Sequence, residues 1–142
     1  MTPEKQLAGF LSKFTPAMAR LAHRAHKIMH ARYPHAIRMV YDNYNFLVIG
    51  FGPSERPSEA IFSIALHARG ALLCFLHGAK LSDPKKLLRG AGKQVRNLRL
   101  ESADVLDRPE VKALMSQAVK KSAVPFDATV KGRLLLDALA AL

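Results

Sequence analysis

Residues 36–51 read AIRMVYDNYNFLVIGF. Two runs rich in Val, Ile, Tyr and Phe flank Asp42-Asn43. β-Branched and aromatic side chains suit a pleated, half-buried strand, and Asp-Asn supplies turn chemistry. The stretch therefore predicts a strand over 36–41, a turn, and a second strand over 45–51. Gly52-Pro53-Ser54-Glu55-Arg56-Pro57-Ser58 reads as a loop. Further strands are expected over 60–68 and 71–77, joined at Arg69-Gly70, and a last one over 95–100. Connections this short join antiparallel strands, because a parallel pair needs a crossover of about a dozen residues or more.

Helical periodicity lies on both sides of these strands. Leu7, Phe10, Leu11 and Phe14 form one apolar stripe, which predicts a short helix over about 5–14. Thr15 is a good N-cap and Pro16 a good first helical residue, so a second helix is expected from there to Tyr33, where Pro34 ends it. Its buried stripe is Met18, Leu21, Ala22, Ala25, Ile28 and Met29, with Arg20, Arg24 and Lys27 opposite. Residues 78–94 read as a long connection with a helical turn after Asp83-Pro84. Residues 102–107 read as a loop, and Pro109 opens a helix reaching Ser122, with Val111, Leu114, Met115, Ala118 and Val119 inward. The tail after Pro125 reads two ways: a helix over 134–142, or a strand over 132–136 that extends the sheet.

This order predicts an α+β fold, an antiparallel sheet of about five strands packed on one face by N- and C-terminal helices. A chain of 142 residues with 49% hydrophobic residues suits one domain spanning 1–142, its core over 15–122. The opening MTPEKQLAGF lacks the pattern of a signal peptide, and no apolar run is long enough to cross a bilayer. The single cysteine, Cys74, has no internal disulfide partner, which fits a reducing cytoplasm.

Charge is the loudest feature of the composition. Lys and Arg number 22 against 11 Asp and Glu, a net charge of +11. No acid lies between Glu4 and Asp42, a stretch holding Lys5, Lys13, Arg20, Arg24, Lys27, Arg32 and Arg38. A second cluster runs through Lys80, Lys85, Lys86, Arg89, Lys93, Arg96 and Arg99, with only Asp83 against it. Such fields concentrate polyanions and speed their capture, or serve simply as a solvated surface.

Three constellations carry candidate chemistry. In the strands, Phe62, Ile64 and Leu66 are expected inward, and so are Leu98 and Leu100, and Ile37 and Met39. The uncovered sheet face would then present Arg38, Ser63, His67, Asn97 and Arg99 together, a basic surface for an anion. Gly90-Ala91-Gly92-Lys93 is not spaced as a P-loop, yet it suits an anion-contacting turn, because Lys93, Arg96 and Arg99 follow at once. On the second helix, His23, His26 and His30 share a flank, and the i, i+4 spacing of His26 and His30 is that of two imidazoles on one metal; the alternative is solvated surface histidines. Tyr41, Tyr44 and Phe46 suit base stacking or simple packing. No Ser-His-Asp order, paired-carboxylate signature or CxxC occurs.

Several motifs resemble one family. Tyr41-Asp42-Asn43-Tyr44-Asn45 with Gly50-Phe51, and Glu55-Arg56-Pro57-Ser58 leading to Ser63-Ile64-Ala65, are similar to the YdhG-like family of domains of unknown function. So are Asp83-Pro84 to Leu88, Gly90-Ala91-Gly92-Lys93-Gln94-Val95-Arg96, Leu98-Arg99-Leu100-Glu101-Ser102 and Arg108-Pro109-Glu110-Val111. The resemblance implies a frataxin-like fold. One relative is described as a frataxin-like iron chaperone, so iron is the cofactor or cargo that the resemblance implies. In frataxins that role uses an acidic ridge on the first helix; here the corresponding helix is basic. The leading expectation is a non-enzymatic binding domain with no cofactor, whose partner is nucleic acid, an acidic protein or a small phosphorylated ligand. The alternatives are metal handling at His23, His26 and His30, and a small enzyme using His67 as acid or base and Arg99 as anion clamp.

Overall fold

The computed structural model describes residues 2–136. Helix α1 spans Pro3–Leu11 and α2 Pro16–Arg32. Both begin with Thr caps and Pro at the first position: Thr2 Oγ1 accepts from Lys5 N, and Thr15 Oγ1 from Met18 N, each at 3.2 Å. Strands β1 (Ile37–Asp42), β2 (Phe46–Gly52), β3 (Phe62–His67) and β4 (Gly70–Phe75) follow, then β5 (Arg96–Leu100). Helix α3 covers Pro109–Lys121, and a two-residue strand β6 (Leu134–Leu135) comes last.

The sheet order is β5-β4-β3-β2-β1-β6. The first four pairings along the chain are antiparallel, as the short connections require. The expected count of about five strands becomes six, because β6 lies parallel to β1. Of the two readings of the tail, the strand is found at Leu134–Leu135; residues 137–142, the rest of the expected helix, lie outside the described residues. The helical turn expected after Asp83-Pro84 is a single hydrogen-bonded turn, Lys86 N to Asp83 O at 3.0 Å, and the helical geometry falls earlier, in a 3-10 turn at Gly78–Lys80. The expected loop over 102–107 holds another such turn, Ala103–Asp107.

One buried cluster joins the layers. Leu47, Ile49, Phe51, Phe62, Ile64, Leu66, Ala71, Leu73, Phe75, Leu98 and Leu100 alternate along four strands, and Ala22, Ala25 and Met29 of α2 join Val111, Leu114 and Met115 of α3 against them. Burial alternates cleanly along β4, and β5 follows from Leu98 on, while β2 and β3 also bury Gly50, Gly52 and Ser63 on the opposite face.

Strand β1 breaks the rule and corrects one expectation. Arg38 pairs with Phe51, and Val40 with Ile49, so Arg38 and Val40 share the core face. Ile37 and Met39 face the other way, opposite Gly52 and Gly50. All four residues are buried. The expectation of Arg38 on the uncovered face rests on Ile37 and Met39 as the inward pair; with both faces of β1 buried, the more apolar pair does not mark the core face.

Two glycines test this packing with opposite signs. A Cβ on Gly132 would lie 2.3 Å from Ala36 O and 2.7 Å from Pro34 O, both rigid backbone. Gly132→Ala should therefore cost about 1–3 kcal/mol, the usual range for overpacking. Gly9, inside α1, has nothing within 4 Å of such a Cβ. Gly9→Ala should stabilise by about 0.5–1 kcal/mol, through helix propensity and a less free unfolded chain. Urea unfolding of both variants checks the pair.

Candidate functional site

The structure sorts the expected anion-binding residues into three places. Ser63, His67, Asn97 and Arg99 do share the face of the sheet turned away from the core cluster, since Ser63 pairs with Cys74 and Cys74 with Asn97, while Ala65, Leu72 and Arg99 form the next row. Apolar neighbours separate them. Ser63 is buried, and its side chain hydrogen-bonds Cys74, whose thiol is pushed up by burial against the effect of that bond. The His67 ring is tied locally, with Nδ1 accepting from Arg69 N at 3.1 Å. Arg99 lies over Gly70, where an added Cβ would come within 3.7 Å of Nη2. The face is thus a mixed surface of small apolar groups with polar ends, rather than a continuous basic one.

Lys93 belongs to the connection between β4 and β5, and Arg96 is the first residue of β5. This segment is tied down by its own side chains. Both Asp83 carboxylate oxygens accept backbone hydrogen bonds, from Leu87 N at 2.9 Å and Leu88 N at 2.8 Å. Arg96 Nη1 donates to Gly92 O at 2.6 Å and Val95 O at 2.8 Å. Arg89 and Asn97 exchange two backbone hydrogen bonds. Gly90 stands at φ 126°, where a side chain would be strained. Arg96 is therefore a strut of the loop. Lys80, Lys85, Lys86, Arg89, Lys93 and Arg99 are exposed, and none of the ion pairs formed among the described residues involves them.

The first basic stretch behaves differently. Lys13 meets Asp42, Arg24 meets Asp104 at 3.1 Å, and Arg32 meets Asp107 at 2.7 Å. Carboxylates far off in sequence return to it in space.

Arg38 is the unexpected member. It is 5% exposed, and Nη1 lies 3.0 Å from His26 Nε2. A guanidinium has no acceptor, so Nε2 must accept and His26 must be the neutral Nδ1–H tautomer. Burial first, then Arg38, then His30 and His23 pull the His26 pKa to about 4, with Glu4 opposing. Burial and Arg38 also lower His30. Among the described residues, Arg38 Nε and His30 Nδ1 have no hydrogen-bond partner.

His26 is thus a core residue, not a solvated surface histidine. Its ring is 6.5 Å from that of His30, and His23 is exposed one turn away. The three imidazoles do not fit a shared metal ion, because a permanent cation already occupies the lone-pair side of His26. Among the described residues, no group of three or more His, Cys, Asp or Glu side chains is placed to hold a metal. The sequence carries a signal of this burial: His26 stands four residues after Ala22 and three before Met29, inside their stripe.

The lowered pKa fixes a pH dependence. The unfolded chain takes up this proton near pH 6.5 and the folded chain near 4, so between these values the unfolded state binds more protons. Stability is unaffected by this group above about pH 6.5, and falls as pH drops from there to about 4, by about 3 kcal/mol in all. His26→Gln keeps an acceptor for Arg38 but cannot titrate. It should flatten most of that acid arm in urea melts at stepped pH, leaving the part due to His30.

Compared with profiles of known families, with curated proteins and with solved structures, the chain matches none, so its activity has to be read from its own surface and interior.

Proposed function

We propose that the chain is a binding domain for an anionic macromolecule, and that the segment from Lys80 to Arg99 is its contact surface. The observation that carries this reading is the unpaired charge of a tied-down segment. Seven Lys and Arg residues lie there against one acid, and that acid, Asp83, is spent on two backbone amides. β5 is the last strand of the sheet, with Arg89 bridged to its outer edge at Asn97, so this charge lies along the sheet's border. A loop fixed by Asp83 and Arg96 presents its cations with little ordering cost on binding, which favours affinity. Neutralising phosphates releases counterions, so binding to nucleic acid would be steeply salt-dependent. No aromatic residue lies between Lys80 and Arg99, which favours backbone contacts over base stacking.

The iron-handling alternative draws on the resemblance to frataxin-like domains and finds less support, since His26 faces a guanidinium. The enzyme alternative has no placed acid–base pair behind it.

Fluorescence anisotropy with labelled single- and double-stranded oligonucleotides, at low and physiological salt, tests the proposal. Lys85→Glu with Lys93→Glu should weaken binding and flatten the plot of log affinity against log salt by about two units, one for each phosphate left without its lysine. Lys27→Glu, on the exposed side of α2, should leave that slope unchanged. Capture of polyglutamate but not of oligonucleotide would identify the partner as an acidic protein. Binding of neither at low salt would reduce the cations to guards against edge-to-edge sheet pairing.

A further inference from the structure

A cleft of about 150 Å³ opens between the lead-in to β3, the end of β4, the turn after it and the C-terminal end of α3. Ile61, Phe75, Leu81 and Ala118 make its apolar part, while Lys80, Lys121 and His77 stand at its border. Its walls are held in place by side chains. Lys121 Nζ donates to Lys80 O at 2.9 Å. Ser82 N donates to Gln117 Oε1 at 2.6 Å, and Gln117 Nε2 returns a bond to Ser82 O at 3.1 Å. Three hydrogen bonds thus fasten α3 to the turn after β4, and the cleft exists without a ligand to form it.

Size and lining limit what fits. An apolar cavity of roughly this volume holds one benzene-sized body. Glu59 also borders the cleft, but its carboxylate is engaged by Ser54 Oγ at 2.5 Å and by Arg56 Nη1 at 3.6 Å. The ammonium groups of Lys80 and Lys121 have no carboxylate in ion-pair contact among the described residues. An apolar floor below two such cations complements a small apolar body with an anionic head.

We propose that this cleft binds a small apolar carboxylate, a single aromatic ring or short branched acyl chain, with the carboxylate at Lys80 and Lys121. The cleft is distinct from the cations assigned to a macromolecular partner, of which Lys80 alone borders it; Leu81 also lies in both the cleft lining and the basic segment.

The test is a ¹H–¹⁵N NMR titration of the full chain with benzoate, toluene and benzylammonium. Benzoate should shift the signals of Phe75, Ala118 and Val124, and should bind more tightly than benzylammonium. Ala118→Trp fills the cleft and should abolish those shifts. Lys80→Met keeps the backbone carbonyl that Lys121 uses; it should weaken benzoate by about two- to fivefold, the worth of an exposed ion pair, and leave toluene unchanged. The Lys85→Glu, Lys93→Glu variant should bind benzoate as the parent chain does, so this result and that for the macromolecular partner stand apart. Benzylammonium binding as tightly as benzoate would overturn the assignment of the head group. Absence of shifts at the cleft with millimolar benzoate would overturn the site.

Discussion

A single rung across the sheet organises the molecule. Arg38 pairs with Phe51, Phe51 with Phe62, Phe62 with Phe75, and Phe75 with Arg96. The three phenylalanines are fully buried, with ring centroids 6.1 and 6.4 Å apart, inside the range for favourable aromatic pairs. Tyr33 and Phe126 pack on Phe62 at 5.0 and 6.3 Å, tying the end of α2 and the segment after α3 to the same ring. An arginine stands at each end of the rung. One turns under α2 to His26, and the other clamps the loop that carries the unpaired cations. Phe75 also lines the cleft beside α3. Core packing, the buried Arg38–His26 pair, the basic loop and the cleft therefore share one line of residues.

What the sequence disclosed follows from which signals are local. The helix start at Thr15-Pro16, the short hairpins and the alternation of Phe62, Ile64 and Leu66 all depend on near neighbours, and they are found close to where they are expected. The face of Arg38 depends on what covers β1 from both sides, and four consecutive buried residues erase the period that would have told. β6 is two residues long and pairs in parallel with a strand almost a hundred residues earlier, too little pattern to read. The cleft takes its lining from four separated segments, so no run of sequence announces it. His26 is legible by position, inside an apolar stripe, and is misplaced when only its metal-binding chemistry and its spacing to His30 are considered.

The charge pattern changes meaning in three dimensions. The two basic stretches look alike in sequence. In the fold, Asp42, Asp104 and Asp107 reach the first stretch, while Glu55 and Glu59 pair with Arg133 and Arg56. Exposed pairs of this kind contribute only about 0–1 kcal/mol each. Their larger effect is on the field: they offset three of the cations of the first stretch, while none of the ion pairs among the described residues reaches the β5 edge and its loop. Net charge alone gives attraction to anions; the placement of a few carboxylates gives it a direction.

The buried arginine is costly to keep, since taking a guanidinium out of water costs several kcal/mol unless its donors are met. Among the described residues the Arg38 guanidinium has one side-chain partner, a neutral imidazole, and Nε has none. Register gives this arrangement a physical use. A slip of one residue in β1 would exchange Arg38 and Val40 for Ile37 and Met39 on the core face, and hydrophobicity would not resist it, because the incoming pair is the more apolar. The slip would break the bond to His26 and leave that ring buried with no donor for Nε2. The contact between Arg38 and His26 thus works with the turn at Asn43 to Phe46 against the slip that the apolar residues of β1 would favour, a role in which a buried polar pair specifies an arrangement more than it stabilises one.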